Sequence, residues 1–150
     1  MDLYFEDFHP GQVLHSPYSY RVTAAEIKEF GQRYDPQPFH LDEAAGQSSF
    51  FNGLAASGWL TAAIAMRLRV QLLTVAGGMI GAGVEEMRWT KPVRPDDSLR
   101  IKLDIEHVRL SANRPHLGVV RSRTTVFNQH DDVVMYSVIN FLAPLRSREG

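Results

Sequence analysis

Residues 58 to about 75 are rich in Ala, Leu, Met and Ile, and only Arg67, Arg69 and Gln71, near the far end, are strongly polar. A helix that is apolar on every side belongs inside a core, so the rest of the chain has to wrap around this one. Gly77-Gly78 is expected to stop the helix, because glycine readily takes the left-handed conformation that ends many helices. Beyond it the hydrophobic period changes. Ile101, Leu103, Ile105 and His107 alternate with Lys102, Asp104 and Glu106, the pattern of a half-buried strand. Residues 119–127 and 133–143 are two further strands, and the polar run Asn128-Gln129-His130-Asp131-Asp132 between them suits a hairpin loop. Residues 84–89 are expected to begin the sheet, and 92–97 to turn into its next strand.

Ahead of the apolar helix, Thr23-Ala24-Ala25-Glu26 has the form of a capping box, in which hydroxyl and carboxylate reciprocally satisfy free backbone donors. Ile27, Phe30 and Tyr34 then recur at helical spacing, and Pro36 stops the helix by disfavouring the helical conformation at Asp35. Helices first and antiparallel strands afterwards predict an α+β fold with an antiparallel sheet wrapped around a long central helix. The chain of 150 residues is expected to form one domain, 1–150. Its long outer strands leave an edge that a second copy would cover, so a homodimer is expected.

Composition removes several function classes. With no cysteine, disulfide frameworks, thiolate nucleophiles and Cys-ligated zinc are excluded together. The net charge of −1 supplies no positive field for nucleic acid or an anionic membrane surface, and no basic segment is interleaved with aromatics. Met1 is followed by Asp2 and Glu6 rather than a basic segment, and the apolar tract 54–66 is too short to span a bilayer before Arg67. A cytoplasmic protein is expected.

Tyr34-Asp35-Pro36-Gln37-Pro38-Phe39-His40-Leu41-Asp42 is the most informative stretch. It places a carboxylate and an imidazole on a stretch stiffened by two prolines, and proton-transfer sites need such groups held within hydrogen-bond reach. Five extended residues span roughly 17 Å, so the Pro-Gln-Pro segment must turn if Asp35 and His40 are to share a water. The alternative is that Asp35 caps a helix and His40 sits on a surface loop. Ser57-Gly58 at the start of the apolar helix likewise has two readings: an ordinary N-cap, or backbone N–H groups aimed at an oxygen that gains negative charge.

The glycines of 77–83 lack the spacing of a nucleotide loop and read as helix termination and strand entry. His40 and Asp42, with a later His107, His116 or His130, have the ligand types of a two-histidine, one-carboxylate iron site. The buried helix argues against the all-strand oxygenase that usually carries one, so no metal is expected. Arg109, Arg114, Arg121 and Arg123 are either solvated surface or contacts to a phosphorylated ligand. Trp59, Phe50 and Phe51 belong either to the core or to a pocket wall.

Several of these segments together resemble the MaoC-like dehydratases, which include the (R)-specific enoyl-CoA hydratases of the hotdog fold. The likeness covers most of the chain. It rests on Phe8-His9-Pro10-Gly11, on Asp35-Pro36-Gln37-Pro38-Phe39-His40-Leu41-Asp42, on Ala56-Ser57-Gly58-Trp59-Leu60 and on Trp89-x-x-Pro92-Val93-x-x-x-Asp97. By that resemblance Asp35 and His40 position and activate water, and the Gly58 N–H polarises a thioester carbonyl. Ser57, Trp59, Phe51 and Arg114 are the expected substrate-binding residues. The resemblance implies reversible hydration of trans-2-enoyl thioesters to (R)-3-hydroxyacyl thioesters. The thioester would be carried by CoA or acyl carrier protein, with no cofactor beyond that substrate, in a homodimer or a dimer of dimers. This sequence departs from the family pattern at Gln37, where an Asn is usual. It departs again at Ala63, where the short-chain hydratases carry serine, and at Ser57, where they often carry His. Two rival readings share the fold: a hotdog acyl-CoA thioesterase and a non-catalytic acyl-CoA-binding module.

Overall fold

The computed structural model describes residues 1–147. After a 3-10 turn at Phe5–Asp7 come β1 (Val13–His15), β2 (Tyr20–Arg21), α1 (Ala24–Tyr34), α2 (Pro38–Leu41), α3 (Glu43–Gln47) and α4 (Gly58–Leu72). The long strands follow: β3 (Ile80–Trp89), β4 (Ser98–Leu110), β5 (Leu117–Phe127) and β6 (Val133–Pro144). They form one antiparallel sheet in the order β1-β4-β5-β6-β3, with β2 pairing separately with β4. The expected α+β architecture is present, with the sheet packed over the long helix.

The core forms where the two periods meet. Leu60, Ile64, Ala65 and Leu68 of α4 pack against Leu99, Ile101, Val126, Val134 and Met135 of the sheet. Each large aliphatic side chain removed from water there contributes about 1.5–3 kcal/mol. The helix is apolar all round but is not buried all round. Trp59, Met66 and Val70 remain exposed, because the sheet covers only one side of it. Arg69 is the exception on the buried side. Its Nη1 donates to Thr124 Oγ1 at 2.9 Å and its Nη2 to Ser122 Oγ at 3.3 Å, while burial lowers its pKa to about 10.

Four local expectations are corrected. Helix α4 ends at Leu72 rather than about Val75, and Gly77-Gly78 does not cap it. The Leu73 N–H closes the last turn on the Arg69 carbonyl at 2.8 Å, and Leu73 and Val75 are drawn into a second cluster with Phe8, Leu103 and Phe141. The glycines instead form the turn into β3, at φ of 73° and 99°. Strand β3 begins at Ile80, earlier than residue 84, since register shifts around Gly81 and Gly83 disguise its twofold period. In β4 a register shift between Ile105 and His107 leaves His107 exposed and brings Val108 toward the core. Only half of the capping box forms. Thr23 Oγ1 accepts the Glu26 N–H at 3.1 Å, but the Glu26 carboxylate accepts the Tyr20 hydroxyl at 2.5 Å instead.

Two close approaches carry the segment between α1 and α4. A Cβ at Gly31 would lie 2.8 Å from the His40 carbonyl oxygen, and one at Gly46 would lie 2.6 Å from the Gly53 backbone. Gly31→Ala is therefore expected to lower stability by about 1–3 kcal/mol, the usual cost of overpacking, seen as a lower urea midpoint at unchanged slope.

Candidate active site

The chain brings Asp35 and His40 together by ending one helix and starting another. The Asp35 N–H closes α1 on the Gly31 carbonyl at 2.8 Å, and Pro36 prevents a further turn. Gln37 then leads into α2, with Pro38 at its first position, and the Gln37 carbonyl accepts the His40 N–H at 2.9 Å. That single turn points the imidazole back at the carboxylate. His40 is buried at 4% exposure, which overturns the surface-loop alternative.

The ring is held through Nδ1. His40 Nδ1 lies 2.6 Å from the Ala55 carbonyl oxygen, which can only accept, so Nδ1 carries the proton. Nε2 is left facing Asp35 Oδ2 at 3.2 Å. The other carboxylate oxygen, Oδ1, accepts the Gln37 side-chain amide at 2.6 Å, so the amide that departs from the usual Asn still reaches the acid. Burial works to raise the Asp35 pKa. The Gln37 amide, the Ser57 hydroxyl and the His40 ring more than offset it, and the carboxyl sits below its ordinary range.

Gly58 is the first residue of α4, and Ser57, fully buried, caps it by accepting the Trp59 N–H at 3.3 Å. The Gly58 N–H has no acceptor among the described residues, as expected of a helix N-terminus. Asp35, His40 and Gly58 line the same cleft of about 520 Å³, together with Gln37 and Thr61. Its apolar wall is aromatic: Phe39, Phe50, Phe51, Trp59 and Trp89, with Lys91 at the rim held to Asp132 at 2.6 Å. Water polarised between acid and imidazole could be delivered here to an electrophile whose oxygen faces the helix start.

Of the residues expected from sequence, Asp35, His40, Gly58, Trp59 and Phe51 share this cleft, and Ser57 lies behind it against Asp35. Arg114 does not. It stands in the β4–β5 turn, outside the lining, and Arg109 borders a different surface hollow with Ser111 and Asn113. Arg121 pairs with Glu85 at 2.6 Å, and Arg123 lies 4.8 Å from the Tyr136 ring centre. His107, His116 and His130 lie in β4 and in the β4–β5 and β5–β6 turns, away from the cleft. No group of three or more His, Asp or Glu able to hold a metal converges among the described residues. None of the described helices is long and apolar enough to cross a membrane. Thr61 and Lys91 had no functional signal in the sequence; Phe39 and Trp89 stand in segments that carry the family resemblance, but their place in the cleft wall is recognisable only once the fold is known.

The model of the MaoC-like domain matches residues 7–128. The chain belongs to the MaoC-like domain family. The protein YdeM of Bacillus subtilis is 30% identical over 138 residues, 91% of this chain and 96% of that protein. The crystal structure of the MaoC-like dehydratase from Rhodospirillum rubrum is 43% identical, with a TM-score of 0.91 over 97% of this chain and 99% of that one. The unliganded R-hydratase PhaJ1 of Pseudomonas aeruginosa is 26% identical, with a TM-score of 0.77 over 97% of this chain and 88% of that one. This MaoC-like domain accordingly has the hotdog fold of the dehydratases and R-hydratases.

The lowered pKa of Asp35 makes stability depend on acid. Its carboxylate contributes stability that is complete above the ordinary carboxylate range and is lost as pH falls through the lower folded value. Asp35→Asn is expected to flatten the fall in urea midpoint between about pH 5 and pH 2, relative to wild type.

Proposed function

We propose that this MaoC-like domain hydrates trans-2-enoyl thioesters to (R)-3-hydroxyacyl thioesters and catalyses the reverse dehydration. The observation that carries the reading is the 3.2 Å separation of Asp35 Oδ2 and His40 Nε2 in the cleft that Gly58 also lines. Water held by that pair attacks C3, and charge moves onto the thioester oxygen, where the Gly58 N–H stabilises it. A water proton passes to the Asp35–His40 pair and from the pair to Cα, so H and OH add across the double bond and nothing else is consumed. One oxyanion donor is worth about 2.7–4 kcal/mol to such a transition state.

Gln37 supports the acid, while Phe51, Trp59 and Ser57 form or back the wall against which the acyl thioester rests. Arg114 is left out of the subunit's own site. The thioesterase alternative would need a carboxylate on the central helix, and α4 contains no Asp or Glu. Asp35→Asn and His40→Ala are expected to slow hydration of crotonyl-CoA by about 10²–10⁴-fold while the proteins stay folded by circular dichroism. Wild-type rates in both variants would remove the assignment, and release of free thiol from saturated acyl-CoA would turn it to a thioesterase. Tight binding of acyl-CoA with no turnover over several chain lengths would make the domain an acyl-CoA-binding module.

The second copy proposed for this domain covers β3. That strand ends the sheet, its residues 80–85 are exposed, and Ile80 and Val84 on it and Met66 and Val70 on α4 present apolar surface. Paired β3 edges would cover that surface. Sedimentation equilibrium is expected to give twice the chain mass for wild type and the chain mass for Val84→Asp; a monomeric wild type at micromolar concentration would refute the pairing.

A further inference from the structure

The half-exposed Trp89 is not explained by the core. It is the last residue of β3, 43% exposed, and its ring meets Trp59, itself 60% exposed, edge to face at a centroid distance of 5.2 Å. What the indole does touch is the first residue of α4. Its Nε1–H donates to the Gly58 carbonyl oxygen at 2.8 Å, and its ring lies so close over the Gly58 Cα that a Cβ there would stand 2.5 Å from Trp89 Cε2 and 2.6 Å from Nε1.

That contact falls where the helix restrains itself least. The first residues of a helix have N–H groups without intrahelical partners, and glycine adds the widest backbone freedom of any residue. Without the indole, the Gly58 Cα would have room to shift and tilt the N–H away from a developing oxyanion, and the time spent misdirected would be lost to catalysis. Three contacts remove that freedom. The Ser57 carbonyl, on the same peptide unit as the Gly58 N–H, accepts the Leu60 and Thr61 N–H groups at 3.0 and 3.2 Å, the indole face blocks displacement of the Gly58 Cα, and the indole N–H holds its carbonyl.

We propose that Trp89 is a positioning residue that clamps Gly58 from the strand side and so sets the direction of the Gly58 N–H. The inference rests on the oxyanion role given to Gly58 above. It also accounts for glycine at this position: the clamp requires a residue without Cβ, because the indole occupies the space a side chain would need. The bond from β3 to α4 therefore acts at the helix start, at the opposite end of α4 from the Arg69 contacts with the sheet.

The test compares wild type, Trp89→Phe and Asp35→Asn, each checked for folding by circular dichroism, on crotonyl-CoA and by ¹⁵N–¹H correlation spectra. Phe keeps an aromatic wall and removes the donor. Its kcat is expected to fall about tenfold with KM little changed, the scale of one lost hydrogen bond. The Gly58 amide resonance is expected to move while those of Gly11 and Gly77 stay in place. A second variant with benzothienylalanine at position 89 keeps the bicyclic outline and replaces the N–H with sulfur, and should reproduce both effects even where Phe perturbs packing. A wild-type kcat, a loss confined to KM, or an unmoved Gly58 resonance in these variants would overturn the clamp. Full activity in Asp35→Asn would overturn the hydratase reading instead, and the Gly58 resonance would still decide the clamp.

Discussion

The hydrogen bond from His40 to the Ala55 carbonyl holds the site together. At 2.6 Å it fixes the ring's tautomer, and with the Ala55 N–H bonded to the Phe39 carbonyl at 3.0 Å it ties the one-turn helix α2 to the strand-like lead into α4. Without that tie, the acid and imidazole would belong to one loop and the free helix start to another. With it, three groups from two segments face one cleft. The glycines at 31 and 46 serve the same end, since each lets backbone approach backbone where a methyl group would force the segments apart.

Much of this was legible in the sequence, for identifiable reasons. The apolar run from Gly58 and the alternation through Ile101, Leu103 and Ile105 are strong periodic signals, and a helix and a strand formed on them, although the helix stops at Leu72 and the strand runs from Ser98 to Leu110. The Asp35 to His40 stretch was legible as chemistry because two prolines leave it few conformations. Periodicity failed where the backbone departs from regularity. The shift at Ile105 and His107 moved a histidine out to solvent, and glycines hid the first half of β3. Strands β1 and β2, of three and two residues, are too short to show a period. Trp89 and Thr61 reach the cleft only through the tertiary arrangement, which no local pattern encodes.

The cleft joins two kinds of surface. One side is a compact set of hydrogen-bonding groups held by short-range partners: the Gln37 amide on Asp35, the Ala55 carbonyl on His40, Ser57 at the helix start. The other is a wall of aromatic rings contributed by helix starts, a loop and a strand end, with Phe51 touching both Phe39 and Phe50. On the proposed hydratase reading, reaction type belongs to the first surface and choice of acyl group to the second. Relatives that share the fold can therefore keep one chemistry while the rings that select the substrate differ.

Arg69 has a consequence at the far end of its helix. Its guanidinium meets hydroxyls on β5 and the Phe141 ring, and no carboxylate pairs with it among the described residues. Sliding or rotating α4 by one residue would strand a positive charge among aliphatic side chains, at a cost no other contact of the helix would recover. The cation thus acts as a notch and pin between helix and sheet. By fixing how α4 is threaded, it also fixes, about three turns away, the point in space at which the helix begins.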